Sequence, residues 1–243
     1  MSNANGRVYA AVLAGGSGVR MGNPDKPKQF LMMGDKPIVV HTLEKFCISG
    51  FFDRVILLCP ETWLRQSQDI INKYCSKHAG QIDVAAGGSV RNETIMKAIN
   101  HIETKYGADD GTILVTHDAV RPFVTYRVIE ENIRAVKKYG ACDTVVPATD
   151  TIVESANGET ISAIPDRRML YQGQTPQSFK MLHLKKLMLS LSEDEKAILT
   201  DACKALVLRG ESVALVRGEE SNIKITYPQD MRIALALVEG QSC

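Results

Sequence analysis

The residue types best suited to chemistry fall in one stretch: Leu13-Ala14-Gly15-Gly16-Ser17-Gly18, followed by Arg20 and, after Gly22, by Lys28. Gly15, Gly16 and Gly18 carry no Cβ, so backbone N–H groups in that turn can come close to an anion. Arg20 and Lys28 add positive charge in or just after the turn. There it could neutralise a triphosphate and the further negative charge of a phosphoryl-transfer transition state. A loop that only held a cofactor would have less need of both cations. Two other glycine motifs are tested by spacing. A P-loop closes on Gly-Lys-Ser/Thr, and no glycine here is followed by Lys and then Ser or Thr. A dinucleotide fingerprint needs glycine at its first, third and sixth positions; counted from Gly16 the third is Gly18, but the sixth is Met21. That weakens the dinucleotide reading without removing it, and a turn with no ligand stays the plain alternative for any short glycine run.

A phosphate turn needs a rigid support, and the apolar run Val8 to Leu13 reads as the buried strand that delivers it. The same unit repeats along the chain. Arg54 to Cys59 is an almost wholly apolar run stopped by Pro60, as expected of a central parallel strand covered on both faces. Ile82 to Ala86 is a shorter strand, broken by Gly87-Gly88 before a helix from about Arg91 to Lys105. Thr112 to Thr116 is a further buried strand. It brings His117-Asp118-Ala119-Val120-Arg121-Pro122 to its C-terminal end, the edge of an open α/β sheet where ligands bind. Helices are expected over Ile38 to Phe46, opened by Pro37, and over about Glu61 to His78, Val128 to Tyr139, Phe179 to Leu191 and Asp201 to Arg209, with a terminal one from near Pro228. Thr144 to Pro147 and Val213 to Val216 complete the strands. The alternation predicts a mostly parallel sheet between layers of helices.

From Asp150 to Thr175 the pattern changes. Thr151-Ile152-Val153-Glu154 and Ile161-Ser162-Ala163-Ile164 alternate on either side of Asn157-Gly158, so a β-hairpin is expected. Its open edges could be covered by another subunit or packed on the chain's own body.

At 243 residues the chain is expected to form a single domain over residues 7–243, with the hairpin region 150–175 inside it and residues 1–6 a flexible lead-in. Lys plus Arg number 29 against 28 for Asp plus Glu, which leaves no general basic field for nucleic acid and points to a small-molecule partner. The cysteines form no Cys-x-x-Cys pair, which argues against a zinc or redox motif and for buried free thiols. No apolar run is long enough to span a bilayer and the N-terminus lacks a signal-peptide pattern, so a cytoplasmic location is expected.

Leu-Ala-Gly-Gly-x-Gly-x-Arg-Met-Gly followed by Pro-Lys-Gln-Phe resembles the signature of nucleotidyltransferases that join a nucleoside triphosphate to a sugar or polyol phosphate. In particular it resembles the cytidylyltransferase family that includes the methylerythritol-phosphate and ribitol-5-phosphate enzymes. The likeness runs from Val8 to about Leu237. It implies an α/β fold with a three-layer Rossmann-like nucleotidyltransferase sheet, and a projecting β-arm exchanged in a homodimer. It also implies attack of a substrate phosphate oxygen on the α-phosphorus of CTP, with pyrophosphate leaving in line. A nucleophile that is already an anion needs positive charge and orientation, with little covalent help.

By this resemblance Arg20, Lys28 and Lys224 are the catalytic cations. A single lysine is ordinarily solvated, so Lys224 rests on its Asn-Ile-Lys motif. Leu13, Ala14, Gly15, Gly16, Ser17 and Gly18 with Gly87, Gly88, Arg91 and Thr94 form the nucleotide site. Ser89-Val90-Arg91 keeps only the arginine of the family's Asp-x-Arg, and Thr94 stands where serine is usual. Asp118, Arg121, Thr151, Arg167, Thr175 and Thr200 form the acceptor set, in which arginines suit bidentate contact with phosphate. Arg168 could serve in place of Arg167; the first is favoured. Mg²⁺ is implied as a counterion of the phosphates, with Asp118 its named carboxylate. The segments Tyr171 to Phe179, His117 to Phe123 and Thr200 to Lys204 look more like the ribitol-5-phosphate enzymes, which supply CDP-ribitol for teichoic acid of the cell wall; methylerythritol 4-phosphate is the alternative acceptor. A nicotinamide-dependent oxidoreductase is a reading of another class. It predicts an acidic residue closing the second strand, and that strand ends Leu58-Cys59-Pro60.

Overall fold

A computed structural model describes residues 6–16, 26–199 and 201–240. The strands are β1 (Val8–Leu13), the two-residue pair β2 (Met32–Met33) and β3 (Lys36–Pro37), β4 (Arg54–Cys59), β5 (Ile82–Ala86), β6 (Ile113–Asp118), β7 (Ala141–Pro147), β8 (Tyr171–Lys180) and β9 (Ala214–Arg217). The main sheet has the order β5-β4-β1-β6-β8-β7-β9, and every pairing is parallel except those of β8, which runs antiparallel to both β6 and β7. The helices are α1 (Ile38–Ile48), α2 (Leu64–Tyr74), α3 (Arg91–Tyr106), α4 (Tyr126–Tyr139), α5 (Met181–Leu189), α6 (Glu193–Ala197), α7 (Cys203–Val207) and α8 (Pro228–Gly240).

The two-residue period of β1 explains the layers. Val8, Ala10 and Val12 face a core shared with α1, α2 and α4, while Tyr9 and Ala11 face the opposite core, shared with α3, α5 and α7. A strand covered on both sides must be apolar throughout, which is why β1, β4 and β6 read as continuous hydrophobic runs. A third, smaller cluster joins α8 to Met33, Ile38, Val120, Phe123 and Ile225. The described cysteines are buried and free, and among the described residues no helix is long and apolar enough to cross a membrane.

Three expectations need correction. The helix expected over Glu61 to His78 is α-helical only across α2 and tightens to 3₁₀ turns at both ends, Glu61–Trp63 and Ser76–Gln81. Tertiary packing wins there over local periodicity: Trp63 stacks on Phe30 with ring centroids 4.5 Å apart and planes 7° off parallel, and Cys75 is drawn into the core.

The start of the helix expected from Phe179 belongs to β8, a strand the sequence pattern did not announce. Tyr171-Gln172-Gly173-Gln174-Thr175-Pro176 has neither apolar alternation nor a place for proline in a central strand. The structure resolves this with a break in the β7–β8 register between Asp143 and Val145, facing the Gln174–Pro176 segment, so Pro176 is asked for no ladder hydrogen bond there. Thr144 Oγ1 donates instead to the Pro176 carbonyl at 2.6 Å.

The hairpin expected from Thr151 to Ile164 forms only one bridge, Glu154 with Ala163, rather than two full strands. Residues 149–164 are all exposed, so no packed face enforces a ladder. The turn itself is as expected: Gly158 has φ +75°, and Asn157 Oδ1 accepts from the N–H groups of Glu159 and Thr160 at 3.0 Å each.

Candidate functional site

The C-terminal ends of β1, β5 and β6 open into a cleft of about 260 Å³. β1 ends tied to both neighbours, the Ala14 N–H donating to the Leu58 carbonyl at 2.7 Å and the Ala119 N–H to the Leu13 carbonyl at 3.0 Å. The chain then turns away from the sheet through Gly15 and Gly16. Among the described residues, a Cβ added at Gly16 would meet nothing within 4 Å, which leaves room for an anion to approach the turn.

The Pro27-Lys28-Gln29-Phe30 segment returns as a 3₁₀ turn, Lys28–Phe30, anchored by the fully buried Phe30 on Trp63. This holds Lys28, 8% exposed, in the cleft wall beside the glycine turn. Gln29 is buried behind it. Its side-chain amide donates to the carbonyl of Gly16 at 3.2 Å and to that of Ala14. In a trans peptide the C=O and N–H point opposite ways, so fixing the Ala14 carbonyl on Gln29 turns the N–H of Gly15 away from Gln29. Gln29→Met keeps the volume and removes the donor. We expect it to raise KM for CTP about tenfold with little change in the thermal midpoint; an unchanged KM would assign Gln29 to packing alone.

The second glycine pair ends β5. Gly87 N–H donates to the Cys59 carbonyl at 2.8 Å, and Gly88 N–H to Thr94 Oγ1 at 2.9 Å, while that hydroxyl donates to the Val90 carbonyl at 3.0 Å. The Gly88 amide and the Thr94 hydroxyl, both expected to meet a nucleotide, are therefore paired with each other and shape the turn. A Cβ on Gly88 would lie 2.5 Å from Glu93 Cβ, so the position requires glycine. Glu93 accepts from Ser89 N–H at 2.6 Å and Ser89 Oγ at 2.7 Å, closing the start of α3 and presenting Arg91 to the cleft.

Asp118 is the electrostatic centre. Arg91 Nη1 pairs with its Oδ1, Lys224 Nζ lies 2.9 Å from its Oδ2, and Arg121 Nε lies 3.7 Å from the same oxygen. Burial by itself would raise the Asp118 pKa, but Arg91 and Lys224, then Arg121, hold it well below the usual carboxylate range. Three cations from different parts of the chain therefore share one carboxylate, leaving net positive charge for an anionic ligand. Behind them, Thr175 Oγ1 accepts from the Asp118 N–H at 3.1 Å and lies 2.9 Å from His117 Nδ1, and His117 Nε2 lies 3.0 Å from the Arg121 carbonyl. The carbonyl can only accept, which assigns the ring proton to Nε2 and leaves Nδ1 to accept from Thr175. Burial lowers the His117 pKa to about 4, so the ring is neutral. Arg121 Nη1 also donates to the Asn222 carbonyl at 2.8 Å, and Asn222 Nδ2 donates to the Thr175 carbonyl at 2.9 Å. This ties the Asn222-Ile223-Lys224 segment to β8.

The structure thus brings Leu13, Ala14, Gly15, Gly16, Lys28, Gly88, Arg91, Thr94, Asp118 and Lys224 to one cleft. Arg121 lines an adjoining hollow of about 290 Å³ that shares Lys224 with it. Gly87 supports the turn from behind, its carbonyl taking Lys97 Nζ at 2.9 Å, and Thr175 is buried in the His117 relay. Thr151 and Arg167 lie on the exposed arm, where Arg167 Nη1 donates to the Thr149 carbonyl at 2.7 Å, and neither lines the cleft. Ser17, Gly18, Arg20 and Thr200 lie outside the described residues. Gln29, His117, Gln177 and Asn222 escaped the reading of the sequence. Gln29 and His117 sit inside motifs already singled out, so adjacency to Lys28 and Asp118 was the available signal. Among the described residues no group of three or more His, Cys, Asp or Glu could hold a metal ion. Asp118, the carboxylate lining the cleft, suits a metal that arrives already bound by phosphates rather than a resident one.

The family described as IspD, 2-C-methyl-D-erythritol 4-phosphate cytidylyltransferase, matches residues 8–240. The ribitol-5-phosphate cytidylyltransferase of Lactiplantibacillus plantarum is 51% identical over 235 residues, 97% of this chain and 100% of that protein. Among solved structures, 4-diphosphocytidyl-2C-methyl-D-erythritol synthase from Anaerococcus prevotii superposes with a TM-score of 0.78 at 26% identity, covering 97% of each chain. The 2-C-methyl-D-erythritol 4-phosphate cytidylyltransferase of Francisella tularensis gives 0.76 at 25% identity, over 94% of this chain and 98% of that one.

Proposed function

This chain belongs to the 2-C-methyl-D-erythritol 4-phosphate cytidylyltransferase family, and on that premise we propose that it transfers the cytidylyl group of CTP to D-ribitol 5-phosphate, releasing pyrophosphate and forming CDP-ribitol. The observation that carries the choice of acceptor is the 51% identity over the full length of a ribitol-5-phosphate enzyme. A phosphate oxygen of the acceptor attacks the α-phosphorus of CTP, the bond to the bridging oxygen of the β-phosphate breaks, and the pair of electrons leaves on pyrophosphate. Lys28 and Lys224 offset the charge gathering around the α-phosphorus, with Arg20 assigned to the same task by its motif. Arg91 and Arg121, held apart and in register by Asp118, are available to the phosphates that approach from the two adjoining hollows. Mg²⁺ entering with CTP would supply further positive charge on the phosphates, with Asp118 the carboxylate of the cleft able to hold one of its waters. The reading extends to a homodimer whose arm carries Thr151 and Arg167 to the partner's acceptor site, to action in the cytoplasm, and to supply of CDP-ribitol for teichoic acid.

Methylerythritol 4-phosphate is the second acceptor to weigh, because the matching family is described by that substrate. Pyrophosphate release from CTP and Mg²⁺ with either polyol phosphate separates the two. We expect kcat/KM to favour ribitol 5-phosphate by at least about tenfold. A preference for methylerythritol 4-phosphate reverses the assignment, and turnover with neither removes it.

A further inference from the structure

Asp143 has no part in the phosphate chemistry, yet it occupies a costly position. It lies in β7 at the break in register with β8, opposite Gln177, and its Oδ1 is buried without a hydrogen-bond partner among the described residues. Burial pushes its pKa up to about 6, against the hydrogen bond from Gln177, whereas the other displaced carboxylates among the described residues all shift down. A protein leaves a carboxylate oxygen dry and unpaired at a free-energy cost that a donor supplied from outside can offset.

Three observations set it near the site. Arg91, the partner of Asp118, places Nη2 3.4 Å from Gln177 Oε1. Asp143 is near enough to act electrostatically on both Arg91 and Arg121. Its Oδ2 lies 3.8 Å from where a Cβ on Gly173 would stand, and Gly173 borders the hollow that also contains Arg121 and Lys224. The group is thus set beside the phosphate-binding cations but not among them. A carboxylate repels phosphate oxygens and attracts hydroxyl protons, so the ligand it suits is the neutral part of a molecule whose anionic end the cations hold.

We propose that Asp143 is an acceptor-binding residue, one of whose carboxylate oxygens, reached past Gly173, takes a hydrogen bond from a hydroxyl of the polyol chain. This rests on the polyol-phosphate reading above and deepens it. Because a methyl group can donate nothing to that oxygen, Asp143 favours an unbranched polyol over a branched one whose methyl falls at the same position.

The test is steady-state kinetics on Asp143→Leu and Asp143→Asn at saturating CTP, with KM for CTP and the thermal midpoint measured alongside. The leucine variant should raise KM for ribitol 5-phosphate about 30-fold and narrow the preference over methylerythritol 4-phosphate, while KM for CTP changes by less than about twofold. The asparagine variant, which keeps an acceptor oxygen, should fall between leucine and wild type. An unchanged KM for ribitol 5-phosphate in the folded variants overturns the assignment, as does an equal loss for CTP and polyol together with a lowered midpoint, the mark of a structural strut. A wild-type enzyme that does not use ribitol 5-phosphate overturns the functional reading, and this assignment with it. One that uses it while the variants keep their KM overturns the assignment alone.

Discussion

We expect Lys224→Ala to lower kcat about 10³-fold and to leave the folded state almost untouched, because a catalytic cation acts mainly on charge that builds up during reaction. The Lys224 side chain is 43% exposed and forms an ion pair with Asp118, so truncation creates no cavity in a core. The segment carrying it is fixed independently: Ile225 is fully buried and its N–H donates to the Val120 carbonyl at 2.9 Å, while Asn222 is tied to β8. The lysine is thus a cation on a rigid support, the arrangement that lets positive charge act without reorganising. Lys28→Ala should match it in rate but also cost stability, since Lys28 is buried in the cleft wall. Lys185→Ala is the control, because Lys185 pairs with Glu103 away from the cleft and its loss should leave turnover unchanged. Pyrophosphate release and thermal melts on the three variants check this. A Lys224→Ala rate within about tenfold of wild type would take Lys224 out of the mechanism.

The second expected result is a pH dependence of folding that His117→Gln abolishes. The His117 ring is wholly buried, and its pKa falls from an ordinary 6.5 to about 4. Between those values the unfolded chain binds a proton that the folded chain refuses, so stability is fully present above pH 6.5 and is lost as pH falls towards 4. At 1.36 kcal/mol per pH unit the loss approaches about 3 kcal/mol. Asp143 works the other way over part of this window, since its raised pKa makes the folded chain bind the extra proton. The measurement is therefore a difference: urea unfolding of wild type and His117→Gln at pH 7, 5.5 and 4. The wild type should lose ground relative to the variant as pH falls. Parallel curves would show that the ring is not held neutral by burial. Activity should weaken over the same range, because a protonated ring can no longer accept from Thr175 at Nδ1.

The opening strand, the glycine turn and its lysine were legible because each is local. Val8 to Leu13 must be apolar to lie between two helical layers, and Gly15 and Gly16 follow where the chain borders the cleft. The parallel sheet was legible for the same reason, through repeated buried runs divided by turn residues. β8 was not, because its place between β6 and β7 comes from pairing with distant strands and from the register break that accommodates Pro176; its own residues carry no strand period.

By itself, then, the sequence determined the residue types and the layers: which runs must be buried, where the chain must turn, and that Lys28 stands beside the glycine turn. Tertiary structure alone decided the electrostatics. Arg91, Arg121 and Lys224 come from the start of α3, the loop after β6 and the loop before α8, and nothing in their local sequence says that they converge on Asp118. Nor does local sequence reveal that Gln29 holds the carbonyls of the glycine turn or that Asp143 is left dry beside the cations. Burial and periodicity are properties of a segment and are written into its composition. The strength of a charge or a hydrogen bond depends on which distant groups share its low-dielectric surroundings, and that is settled only when the sheet closes and the segments meet.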